Sequence, residues 1–135
     1  MDTPAPYRLT LVQEPKFPHA IVSGVNDADT VARCLDGLRR ACIARRCCRV
    51  LIEERLEGPR LTTYPVYKVI SEASERARGL LHAVAFVDVN GGGDALTGFA
   101  EDVAVNRGIP VATFASVAEA RAWLLAGQAQ DSALR

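Results

Sequence analysis

Apolar and polar residues alternate through Tyr7-Arg8-Leu9-Thr10-Leu11-Val12, the two-residue period of a strand with one buried face. Pro15 and Pro18 interrupt that pattern. His19-Ala20-Ile21-Val22-Ser23-Gly24-Val25 then reads as a second strand, rich in β-branched residues. The connection is short, which predicts an antiparallel pair, because a parallel return needs a longer crossover. The period then changes to that of a helix. Val31, Cys34, Leu35, Leu38 and Cys42 form an apolar stripe flanked by Ala41, with Arg33, Asp36, Arg39 and Arg40 on the opposite side. Asn26 and Asp27 can cap this helix, since a short side-chain oxygen accepts from the free N–H groups of the first turn. Arg45 and Arg46 complement its negative end.

Arg49-Val50-Leu51-Ile52-Glu53 is a third strand, and residues 54–63 read as a loop with a turn at Gly58-Pro59. Pro65 suits the first turn of a second helix, whose apolar face is Val66, Val69, Ile70 and Ala73. Leu81 to Val87 is a continuous apolar segment broken only by His82, as expected of a strand covered on both faces. Asp88-Val89-Asn90 and the run Gly91-Gly92-Gly93 lead to a third helix carrying Leu96, Phe99, Ala100 and Val103. Gly108 supplies its left-handed C-cap, with Pro110 just beyond. The last strand is Pro110 to Phe114. Ser116 and Glu119 have capping-box spacing and open a final helix through Trp123 and Leu124, ending near Gly127.

The predicted order is β-β-α-β-α-β-α-β-α: an α/β fold with a five-stranded mixed sheet, parallel apart from one edge. Crossovers of a single hand would place the helices. Residues 1–6 form an N-terminal arm, 7–126 a single domain and 127–135 a frayed tail. The chain of 135 residues, 49% hydrophobic and 24% charged, is long enough for one core without disulfides or metal. Sixteen basic residues balance sixteen acidic ones, which argues against nucleic acid or an anionic membrane as the main partner. No secretory signal or membrane-spanning run is visible, and the spacing of Cys34, Cys42, Cys47 and Cys48 fits neither a CxxC motif nor a zinc site. The expectation is a cytoplasmic protein with reduced thiols and no cofactor.

In open α/β sheets ligands meet the loops at the carboxyl ends of the parallel strands. Those loops hold Glu53, Glu54 and Arg55; Thr62, Thr63 and Tyr64; and Asp88 with Asn90. Adjacent in a strand, Glu53 and Glu54 point to opposite faces, so only one of them can pair with Asp88 on a neighbouring strand. The ordinary reading makes all three solvated strand-end carboxylates. The triple glycine lacks the Lys-Ser/Thr of a phosphate loop and is followed by Asp94, which repels phosphate. It reads as a connector. The basic group Arg39, Arg40, Arg45, Arg46 and Arg49 has no interleaved aromatics for stacking on bases and reads as a solvated helix end. Cys34 and Cys42 belong to the core. Cys47 and Cys48, beside Arg45, Arg46 and Arg49, are the candidate nucleophiles if the protein is an enzyme, which the absence of a catalytic set disfavours. His19 and His82 both fall in strand segments and read as structural.

Leu61-Thr62-Thr63-Tyr64-Pro65-Val66-Tyr67 after the third strand, and the stretch from Phe99 through Asn106-Arg107-Gly108-Ile109-Pro110-Val111 to Trp123-Leu124, resemble the STAS family of SpoIIAA-like, anti-sigma-factor-antagonist domains. The likeness covers most of residues 7–126 and rests on pattern. It implies a non-enzymatic regulatory domain of bacterial type that binds a protein partner, sometimes switched by phosphorylation where the second helix begins. The family's Asp-Ser pair is replaced here by Thr62-Thr63-Tyr64-Pro65, so Thr63, then Thr62, is the matching phosphoacceptor. On this reading the binding edge is Glu54, Thr62, Thr63, Tyr64, Asp88 and Asn90, and pairing of the edge strand Tyr7 to Val12 with a second copy would make a homodimer. The alternative is a small-molecule or nucleotide-binding domain using the same crevice.

Overall fold

The computed structural model describes residues 7–59, 61–90 and 95–133, with side chains as far as Gly127. The arm 1–6, the glycine run and Asp94 lie outside the described residues. Element order is β1 (Tyr7–Gln13), β2 (Pro18–Val25), α1 (Ala28–Arg45), β3 (Arg49–Glu57), α2 (Thr63–Ala77), β4 (Ala83–Asp88), α3 (Ala95–Asn106), β5 (Val111–Phe114) and α4 (Val117–Ala133). The five strands lie side by side in chain order. β1 and β2 are antiparallel; β2, β3, β4 and β5 are parallel to one another. The predicted mixed α/β sheet is therefore the observed one.

Two boundaries differ by more than two residues from those predicted. β3 runs to Glu57, so Glu54 lies within a strand and not in a loop. Its pairing continues Val22↔Glu54 to Val25↔Glu57 with β2, which supplies the ladder bonds that the local sequence does not announce. α4 passes Gly127 and ends at Ala133, because a single helical glycine costs only about 1 kcal/mol and does not stop a helix by itself.

The crossovers through α1, α2 and α3 all step the same way across the sheet. α1 packs beside α2 and α2 beside α3, on one face, while α4 packs on β3, β4 and β5 from the other. Alternation along β3 sorts its side chains accordingly. Val50, Ile52 and Leu56 join the cluster under α1 to α3, whereas Leu51 joins Phe17, Ala85, Val87, Ala120 and Leu124 under α4.

The caps follow local chemistry. Asp27 accepts a hydrogen bond from Thr30 N at 2.8 Å, and Glu119 N donates to Ser116 Oγ at 3.2 Å. Gly108 takes the left-handed conformation (φ +89°) and lets Ile109 N reach Ala104 O at 3.0 Å. The Thr30 hydrogen bonds hold the Asp27 carboxyl below its ordinary range. A folded-state value lowered in this way stabilises the fold above the unfolded value and loses that stabilisation as pH falls. Asp27→Ala is thus expected to lower the melting temperature at pH 7, with the deficit shrinking in scans below about pH 4. At the other end of α1, Arg46 is left-handed at φ 53°, a conformation strained for a side chain that has a Cβ. Arg46→Gly is expected to stabilise the protein by about 1 kcal/mol in urea unfolding.

Candidate functional site

A partly open cavity of about 210 Å³ lies between the sheet and helices α1, α2 and α3. Its walls are mostly apolar, built from side chains such as Leu38, Ile52, Val66, Ile70, Val84 and Phe86. Protein interiors are close-packed, and voids larger than a water molecule are few. Apolar side chains that border such a space lack packing partners on that side, at a cost to stability. A guest that restores the missing dispersion contacts offsets that cost.

Besides Arg39, the polar side chains of the lining are Asn26, Glu54, Ser74, Asp88, Thr97, Glu101 and Thr113. Glu54 and Asp88 are Cα partners in the β3–β4 ladder and face the same side of the sheet as Ile52 and Phe86. The carboxylate pair considered from the sequence is therefore Glu54 with Asp88, on the helix-covered side. Asp88 is 4% exposed and accepts hydrogen bonds from Thr97 Oγ1 (3.3 Å) and Asn90 N (3.1 Å). Asn90 in turn donates from Nδ2 to Leu56 O at 2.6 Å, tying the end of β4 to β3. Glu101 Oε1 accepts from Thr113 N at 2.7 Å. Arg39, the basic residue of the lining, is held by Asp36 at 3.0 and 3.2 Å.

Thr62, Thr63 and Tyr64 stand apart from this cavity. All three are exposed, Tyr64 most strongly at 71%, and the cavity is bounded instead by Leu61 and Val66 on either side of them. Thr62 is the N-cap of α2, yet its side chain makes no cap hydrogen bond. The structure thus joins Glu54, Asp88 and Asn90 in one cluster and leaves the three α2 residues on the neighbouring surface.

The expectation of solvated carboxylates fails for Asp88 and also for Glu53, which is 5% exposed. Glu53 points to the α4 side, where its Oε1 lies 2.8 Å from His19 Nε2 and its Oε2 meets Arg55 Nε. His19 Nδ1 lies 3.5 Å from Glu14 Oε2, and Arg121 of α4 grips Glu14 through two hydrogen bonds of 2.9 and 3.1 Å. Glu14 holds Arg121 protonated more firmly than usual. This relay joins the β1–β2 connection, β2, β3 and α4, and nothing in the sequence pattern pairs residues so far apart. His19 lies within β2, the strand position expected of it. His82 is exposed and precedes β4, its backbone N donating to Cys48 O at 2.7 Å.

Burial, reinforced by the nearby Glu54 charge, pushes the Cys34 thiol up to about 12. Burial does the same at Cys42, also about 12, with the Cys47 hydrogen bond a smaller contribution. Both thiols belong to the core and stay protonated at neutral pH, so neither is an activated nucleophile. Cys47 is half-buried, its Sγ 3.8 Å from Cys42 O. Among the described residues no group of three or more His, Cys, Asp or Glu is arranged to hold a metal ion, and no helix is long and apolar enough to cross a membrane. No family model matches the chain, and no curated protein matches it. Fold and site together define a class: an α/β domain with an apolar, acid-ended cavity under three helices.

Proposed function

We propose that this domain is a non-enzymatic binding module for a small, largely apolar molecule, held between the sheet and helices α1 to α3. The observation that carries the proposal is the cavity of about 210 Å³ with its apolar walls and its polar group at the carboxyl ends of β3 and β4. Ligand pockets have this composition: apolar lining for affinity and a few placed polar groups for orientation. Only the polar end of the site lies at the carboxyl ends of β3 and β4, the side on which open α/β sheets meet their ligands. Of the two readings the sequence allowed, the small-molecule one gains most from this geometry.

Octan-1-ol is a suitable probe. Its addition is expected to raise the melting temperature in a saturable way, the stabilisation reaching about 1.4 kcal/mol at ten times Kd. Ala100, on α3, lines the cavity and is only half-buried. Ala100→Leu fills part of the space, so it is expected to match or exceed the parent melting temperature and to lose the octanol shift. If octanol and benzene both leave the parent protein's melting curve unmoved, the proposal is wrong.

A second reading, the STAS-like protein-interaction edge, is favoured by one observation: Tyr64 is 71% exposed beside the exposed Thr62 and Thr63 at the start of α2. Phosphate on Thr63 would lie at a helix N-terminus, where the dipole and free N–H groups favour negative charge. Intact-mass analysis of protein from its own host tests the switch. A chain unphosphorylated in every growth condition removes it.

A further inference from the structure

We infer that the cavity takes a linear alkyl compound of medium length that ends in a hydroxyl or an ammonium group, and that it discriminates against the corresponding carboxylate. This rests on the cavity reading above and specifies its ligand. The shape comes from the sheet. Val84, Phe86 and Asp88 of β4 all line the cavity, as do Ile52, Glu54 and Leu56 of β3, so the lining follows each strand for four residue steps. At about 3.3 Å per residue that is roughly 13 Å along the strands, long enough to take an extended alkyl chain of medium length, and Val22 of β2 with Val111 and Thr113 of β5 carry the same space across the sheet.

Polarity is distributed unevenly along that length. Ala77, Leu81 and Ile109 close the end where β4 begins, and all three are apolar. The opposite end, where β3 and β4 finish, carries Glu54 and Asp88 in register. Glu101 adds a third carboxylate to the lining, while the basic side chain Arg39 is already engaged by Asp36. The sign of the lining is therefore negative. Both Glu54 and Asp88 have partners within the protein. An ionised carboxylate offers about four acceptor positions, so a guest hydroxyl or ammonium adds a donor without displacing those partners. A guest carboxylate brings only acceptors and a like charge beside Glu54, Asp88 and Glu101.

Calorimetric titrations of octan-1-ol, octylamine and octanoate at pH 7.5 test the inference, with Ala100→Leu as the control for binding outside the cavity. Octanol and octylamine are expected to bind at least tenfold more tightly than octanoate. Glu54→Gln is expected to narrow the gap between octylamine and octanoate at least threefold while leaving octanol within about twofold. Octanoate binding as tightly as octanol, in a protein that does bind octanol, overturns the head-group inference and leaves the cavity reading standing. If none of the three binds with Ala100→Leu sensitivity, both fall together.

Discussion

Replacing His19 by leucine is expected to destabilise the protein by about 3 kcal/mol, and adding Glu53→Leu to recover more than half of that loss. Leucine is close to histidine in size, so little of the penalty comes from volume. It comes from Glu53, whose buried carboxylate then keeps its ion pair with Arg55, a side chain that is 54% exposed. Removing the hydrogen-bond partner of a buried carboxylate leaves the desolvation of that carboxylate uncompensated. Removing both leaves two apolar side chains beside Leu51, which the α4 side of the sheet accommodates, and Glu14 remains joined to Arg121. Urea unfolding of the parent, both single variants and the double variant closes the cycle. A double variant as unstable as the sum of the two singles would mean that the two residues do not act as a pair.

The second large effect separates the two faces of the sheet. Leu124→Ala is expected to cost about 4 kcal/mol and Leu38→Ala about 2 kcal/mol, measured by the same unfolding experiment. Leu124 is 0% exposed and sits among Leu51, Ala85, Val87 and Ala120, where truncation opens a new void in closely packed surroundings. Leu38 is also buried, but its side chain borders the cavity and so forms fewer contacts to lose. Equal losses at the two positions would show that the helix-covered face is as tightly filled as the α4 face.

The features legible in the sequence are those governed by neighbours within one or two turns. The change from two-residue to helical period located β1, β2 and α1, and the caps at Asp27, Ser116 and Gly108 are local hydrogen-bond chemistry. The antiparallel start followed from the shortness of one connection. Alternation also assigned Glu53 and Glu54 to opposite faces, and the register bears this out. The burial of Glu53 depends instead on α4 and on Glu14, brought in by Arg121 from 107 residues away. The length of β3 depends on pairing with β2 and β4. The cavity depends on how far three helices stand from a sheet, a distance set by many side chains together and written in no motif. The resemblance to STAS domains reads the pattern of elements and gives no measure of that spacing.

The chain-order arrangement of the sheet also bears on synthesis. Each strand leaving the ribosome can add to the edge laid down just before it, so pairing does not wait for distant segments. Among the described residues, α4 is the one helix on its side of the sheet, and it is made last. Until it emerges, the nascent sheet presents Leu51, Ala85 and Val87 together with the still unclasped Glu14. The interval before α4 emerges is when this chain is most exposed to aggregation and to chaperones, and a protein truncated before residue 117 stays in that state.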